Sequence, residues 1–176
     1  MRNEPRGQLL VRALSPRATR GVLSVGGRTF HCALGKAGRR AQKREGDGAT
    51  PRGTFRLEWV YYRPDRCPRP RTGLAVKPLA SADGWCDAPA DRNYNRPVCH
   101  PYPASAEDMW RPDGLYDVVV VLDCNRRPRV RGRGSAIFMH VARPGFTPTE
   151  GCIALRRPDL LRVLATLKTG ARILIP

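Results

Sequence analysis

The stretch LYDVVVVLDCN, Leu115 to Asn125, sets the strongest constraint on what this chain can fold into. Its β-branched residues crowd the turns of a helix and suit the pleat of a strand. Val118 to Leu122 show no polar alternation, so the run has no face for water and predicts a central strand buried on both sides. Other strand candidates surround it. Gln8 to Leu14 is a short apolar run ended by Ser15-Pro16. VLSV and RTFHCAL flank Gly26-Gly27, a pair that supplies the positive φ angles of a tight hairpin. Thr50-Pro51 and Gly53 read as the turn into TFRLEWVYY, Thr54 to Tyr62, and the chain closes on the strand-like ARILI.

One principal helix is expected. Pro158 and Asp159 mark its start, Leu160, Leu161, Val163, Leu164 and Leu167 keep an apolar stripe, and Gly170 supplies a stop. Ser105 and Asp108 resemble a capping box and predict one short helical turn through Trp110. The whole reads as mainly β, and 176 residues with 41% hydrophobic content suit one domain over residues 1–176. From Arg63 to Pro103 the chain carries eight prolines and no clear period, which predicts an irregular flap or surface wrap. Within it, Trp85 and Tyr94 either line a cleft or anchor the loop.

The chemistry concentrates in IFMHVARPGFTPTEGCIAL, Ile137 to Leu155. A strand-like run delivers His140, a Pro/Gly/Thr-rich turn follows, and Cys152 sits behind a glycine and ahead of an apolar run. Thiols are poor nucleophiles until they lose their proton, and a nearby imidazole is the usual means of removing it. Gly151 allows a tight turn and close substrate approach, and the N–H groups of Gly151 and Cys152 are candidates to hold an oxyanion. Two other His/Cys neighbours compete. His31 and Cys32 lie side by side on one strand and so point to opposite faces, and Cys99-His100 lies among prolines in a loop.

At His140, Thr149, Gly151, Cys152 and Ile153 the sequence resembles the signature of the YkuD-type L,D-transpeptidases: a histidine, a variable stretch, then [S/T]-H-G-C and an apolar residue. GDGATPRGTF, Gly46 to Phe55, resembles that family's upstream G-x-x-T-P-x-G-x-F element. Glu150 and Ala154 depart from the signature, standing where it has histidine and usually arginine. The resemblance implies a β-sandwich-like catalytic fold, Cys152 as nucleophile, His140 as general base and acid, and a backbone carbonyl orienting the imidazole. It implies peptidoglycan stem peptides as partners, a tetrapeptide donor and a diamino-acid acceptor, with carbapenems as inhibitors and no metal or organic cofactor. Transfer to an amine makes a transpeptidase, and transfer to water makes an L,D-carboxypeptidase. Arg143, Thr149, Arg156, Trp85 and Tyr94 are candidate substrate contacts. Glu150 is expected to point away from Cys152 and to pair with a cation, with Arg143, Arg156 and Arg157 as nearby candidates, since a carboxylate facing the sulfur opposes its ionisation.

Thirty-two Lys and Arg against fifteen Asp and Glu give a net charge of +17. The cations are spread along the chain with no zinc finger, helix-turn-helix or RNP-like motif, which argues against nucleic acid. A basic surface equally attracts carboxylate-rich peptidoglycan or anionic lipid, and a non-enzymatic binding module for an anionic polymer is the rival function. Six cysteines without metal-ligand spacing read as mostly reduced, buried side chains. The resemblance implies the periplasm or cell envelope. The first sixteen residues show no export signal, which leaves a cytoplasmic alternative.

Overall fold

A computed structural model describes residues 8–176; residues 1–7, part of the stretch read for an export signal, lie outside the described residues. In chain order the strands are β1 (Gln8–Arg12), β2 (Arg20–Val25), β3 (Arg28–Ala33), β4 (Arg39–Arg40), β5 (Thr50–Pro51), β6 (Gly53–Tyr62) and β7 (Ala75–Pro78). They continue with β8 (Asp83–Cys86), β9 (Arg96–Cys99), β10 (Ala106–Asp108), β11 (Val118–Leu122), β12 (Phe138–Val141) and β13 (Ile153–Leu155). Helix α1 (Arg157–Leu164) and β14 (Arg172–Ile175) end the chain.

The main sheet runs β11-β12-β13-β3-β2-β1-β14-β6-β7, and a further pairing of β11 with β6 closes it into a barrel-like ring. The hairpin at Gly26-Gly27 forms as expected: φ is 54° and 74° at the two glycines, and Val25 pairs with Arg28. The valine run becomes β11, with all five residues buried between β12 and β6. Its side chains alternate with the period of two that a pleat imposes. Val118, Val120 and Leu122 enter the larger core with Leu9, Leu23, Met139, Ile153 and Ile173, while Val119 and Val121 enter a second one. A register shift on β6 between the partners of Val121 and Leu122 lets Leu57 and Val60, three residues apart, face the same core.

The second core is covered by a small antiparallel sheet, β10-β8-β9. This corrects two expectations. Residues 63–103 are not irregular throughout, because β7 extends the main sheet while β8 and β9 pair with each other. Residues 105–110 hold strand β10 and no helical turn, because Ala106, Glu107 and Asp108 pair with Cys86, Trp85 and Gly84, and that pairing overrides the local capping signal. Trp85 is 1% exposed, donates its indole N–H to Asn95 Oδ1 at 3.0 Å and meets the Phe138 ring edge-on at 5.0 Å. Tyr94 is 2% exposed. Trp85 anchors the covering layer to the sheet, the Tyr94 hydroxyl donates to Glu45, and neither residue lines the cleft described below.

Helix α1 begins where Pro158 and Asp159 predict and packs Leu160, Val163 and Leu164 into the larger core. It ends at Leu164, well short of Gly170, and Leu167 reaches the core from the turns that follow. Gly170, at φ 85°, serves the turn into β14. His31 is exposed and Cys32 buried, as opposite faces of one strand require. All six cysteines are free, with only Cys99 exposed.

Trp85 is among the largest fully buried side chains of the protein and is the test of how tightly the second core packs. Trp85→Ala is expected to cost about 3–5 kcal/mol, the usual loss for truncating a buried large aromatic, read as the shift in urea midpoint. A loss below about 1 kcal/mol would mean that the covering sheet packs loosely.

Candidate active site

Strands β12 and β13 run parallel, with Met139 opposite Ile153 and His140 opposite Ala154. One step back in this register sets Cys152 beside Phe138, whose N–H donates to Cys152 Sγ at 3.3 Å. Phe138 and His140 are two residues apart on one strand, so Cys152 and His140 project from the same face, into the second core's side of the sheet. There the covering sheet stops and a cleft of about 480 Å³ opens, with both side chains on its wall.

Each of the two side chains is held by backbone. Cys152 is 8% exposed and donates its thiol to the Ala136 carbonyl at 3.3 Å, while His140 is 6% exposed and its Nδ1 donates to the Val141 carbonyl at 2.9 Å. That bond places the Nδ1 proton and leaves Nε2 free to accept one. Tyr116 packs edge-on against the imidazole at 5.3 Å. Among the described residues the sulfur and the imidazole share no hydrogen bond, each being turned to a backbone carbonyl.

Both groups rest neutral. Burial pushes the Cys152 thiol up to about 12, with the Glu107 charge adding to the rise and the Phe138 N–H and Lys43 opposing it. Burial pulls His140 down to about 4, against the Val141 carbonyl, which favours the protonated ring. The arrangement therefore differs from a standing thiolate–imidazolium pair. It suits proton transfer from sulfur to Nε2 as the sulfur attacks.

The turn before Cys152 is braced from the far side. Thr149 donates its N–H to the Leu34 carbonyl at 2.9 Å, and its own carbonyl accepts the Lys36 N–H at 2.8 Å. Its hydroxyl donates to the Cys152 carbonyl at 2.7 Å and accepts the Gly151 N–H at 3.2 Å. Gly151 is needed here for two reasons: φ is 135°, and a Cβ would lie 2.8 Å from the Ala49 carbonyl oxygen. The close approach expected at Gly151 is thus made by the loop carrying the G-x-x-T-P-x-G-x-F element, and its N–H, expected to bind an oxyanion, is engaged by Thr149.

The structure sorts the remaining candidates. Arg143 lies on the cleft wall and pairs with Asp113 at 3.3 Å. Arg156 sits at the start of α1, bonded to Asp159 at 2.8 Å and off the cleft wall, so it is not placed as a substrate contact. Arg157 engages Asp117 at 3.5 Å. Glu150 pairs with a cation as expected, but the cation is Lys36 at 2.8 Å, supplied by the upstream loop, and the Glu150 side chain is 77% exposed. Ala154, buried between His140 and Ala33, also lines the cleft. His100 faces Asp108 at 3.1 Å. Sequence reasoning missed Glu45, Asp87, Glu107 and Tyr116, which also line the cleft. Among the described residues no group of three or more His, Cys, Asp or Glu is placed to hold a metal ion.

Because His140 is held neutral well below its usual range, its burial makes folding depend on pH. The stabilisation is complete above about pH 6.5 and is lost as pH falls through about 4, since the unfolded ring binds a proton that the folded one refuses. Over that window the wild type should lose about 3 kcal/mol more than His140→Gln, measured as urea stability at each pH. Parallel curves for the two proteins would show that the imidazole is not buried neutral.

The family model for the L,D-transpeptidase catalytic domain, YkuD, matches residues 18–175. Among solved structures, Mycobacterium tuberculosis L,D-transpeptidase 1 is similar at 15% sequence identity and a TM-score of 0.41, over 96% of this chain and 61% of that one. The chain thus spans less than two thirds of that structure's length. No curated protein matches the chain. On the family match over nearly its whole length, with the paired strands carrying His140 and Cys152 inside the matched range, the chain belongs to the YkuD family of L,D-transpeptidase catalytic domains.

Proposed function

We propose that this protein is a cysteine acyltransferase that acts on the stem peptides of peptidoglycan. The observation that carries this reading is the placement of Cys152 and His140 on one wall of a cleft, with the His140 Nδ1 proton committed to a carbonyl. In the first half-reaction the Cys152 sulfur attacks the carbonyl of an L-centred stem residue while its proton passes to His140 Nε2. The tetrahedral adduct collapses, the C–N bond breaks, and the departing D-amino acid takes that proton on its amine. In the second half-reaction an acceptor amine attacks the thioester, gives its proton to Nε2 and expels the sulfur, which recovers the proton. Water in place of the amine gives a carboxypeptidase.

The resting neutrality of both groups has a consequence for rate. With the thiol pushed up to about 12, almost no thiolate stands ready at neutral pH, so attack depends on concerted removal of the proton by a correctly placed base. That protects the sulfur from small electrophiles and reserves reaction for a substrate that fills the cleft. The working site on this reading is the cell envelope. Among the described residues no helix is long and apolar enough to cross a membrane.

Intact-mass measurement after incubation with a carbapenem should show one acyl adduct, carried by Cys152 and absent in Cys152→Ala. An adduct on Cys99, the exposed thiol, that persists in Cys152→Ala would move the chemistry elsewhere. His140→Gln should keep the fold and slow thioester formation from a tetrapeptide about 10²–10⁴-fold, the usual worth of a positioned base; near-normal single-turnover rates would remove His140 from the mechanism. Glu150→Gln, by contrast, should shift the pH at which Cys152 alkylates by less than about half a unit, because its exposed pair with Lys36 is well screened. A fall of about one unit in that variant would place the carboxylate against the sulfur.

A further inference from the structure

The cleft beside Cys152 carries acids that its own cations do not balance. Lys43, Arg111 and Arg143 line it, and each is already engaged: Lys43 with Asp47, Arg111 with Asp113 at 2.6 Å, and Arg143 with the same Asp113 at 3.3 Å. Of the four acids on the wall, Glu150 has Lys36. The other three converge from separate segments: Glu45 from the loop between β4 and β5, Asp87 from the position after β8, and Glu107 from β10. Glu45 and Glu107 accept the hydroxyls of Tyr94 and Tyr116, neutral donors that leave the negative charge in place. The Arg111 guanidinium stands 4.0 Å from Glu107, and among the described residues no Lys or Arg forms an ion pair with Glu45 or Asp87. In a chain of net charge +17, uncompensated carboxylates gathered at one place stand out from everything around them.

Two further observations point to a ligand. Ser135, 8% exposed, lies on the same wall, and its hydroxyl, although near that of Tyr94, makes no hydrogen bond within the described residues. Asp87 Oδ1 is likewise buried without a partner. Buried polar atoms are almost always paired, so two unpaired ones on residues that line the cleft call for a group that donates hydrogen bonds. The acids also crowd each other: burial pushes the Glu107 carboxyl up, and the charges of Asp87 and Glu45 add to the rise against Tyr116 and Arg111. They are not arranged to hold a metal ion. An ammonium group, with three directional donors and one positive charge, fits acceptors spread in this way.

We infer that Glu45, Asp87, Glu107 and Ser135 form a subsite for a primary ammonium group of the substrate, on the cleft wall that carries Cys152. In assigning that ammonium to a peptide, the inference rests on the acyl-transfer reading above. Two sources present the same chemistry: the side chain of a diamino residue in the donor, and the amine of the acceptor in its resting, protonated form. Either way the subsite selects for a cation inside a protein whose surface repels one.

The test is calorimetric binding to Cys152→Ala, which cannot react. One ligand pair is a donor tetrapeptide and its side-chain N-acetylated form, and the other is a diamino-acid amide and its side-chain N-acetylated form. Acetylation should weaken binding about 10-fold or more in at least one pair, the scale of a charge-assisted contact, and adding Asp87→Asn should abolish the difference. The pair that shows the difference identifies the source. Ser135→Ala, which removes a hydroxyl with no partner in the fold, should reduce the difference about 3-fold and gives the answer if Asp87→Asn does not fold. Equal binding of free and acetylated forms in both pairs overturns the ammonium subsite and leaves the acyl-transfer reading standing. A difference that survives the substitutions also overturns it, by putting the ammonium elsewhere. Binding of none of the four ligands overturns both readings.

Discussion

The parallel pairing of β12 with β13 is the contact on which the candidate site depends. In a pleated strand the side chain's face is decided by counting, so the register that sets His140 opposite Ala154 also sets Cys152 and His140 on one face. A slip of one residue would turn one of them into the larger core. The register is held from both sides. Met139, Ile153 and Leu155 are fully buried on the larger-core face, while Phe138 packs under Trp85 and Tyr116 on the other. Hydrophobic burial on two faces thus enforces a polar juxtaposition that neither residue's own energetics would favour.

Burial also sets the character of the proposed chemistry. Withdrawing a thiol and an imidazole from water favours the neutral form of each, and here the effect outweighs the nearby charges for both groups. The hydrogen bonds do not reverse this, but they fix geometry: Ala136 and Phe138 hold the sulfur, and Val141 holds the ring. A site of this kind stores its reactivity as position, and expresses it when a substrate carbonyl offers the sulfur somewhere to send its electrons.

Much of this was legible from residues alone, and what was missed was missed for a physical reason. The valine run could be read because continuous β-branched burial has few other solutions. The Gly26-Gly27 hairpin could be read because its turn needs positive φ twice. His140 and Cys152 were legible from a motif in which glycine and cysteine adjoin. By contrast, Ser105 to Trp110 carries a helix-start signal, yet its middle residues become β10 because their backbone pairs with β8. That error hid Glu107, whose place beside Cys152 follows from the pairing. Asp87 and Glu45 reach the cleft through contacts across long separations, which no local pattern encodes. The partner of Glu150 was misread for the same reason: Lys36 is close in space and 114 residues away along the chain.

The bracing of the Cys152 turn also ties the site to distant parts of the chain. The turn takes its shape from Leu34, Lys36 and the Ala49 carbonyl, groups made about a hundred residues earlier, against which Gly151 must lie without a Cβ. Closing loops of that length carries an entropic cost, and the sheet pairing that sets Ala154 beside Ala33 spans the same separation and shares it. A nascent or partly unfolded chain therefore carries a cysteine but no assembled turn around it. The geometry that the proposed chemistry needs exists only where those distant segments have met.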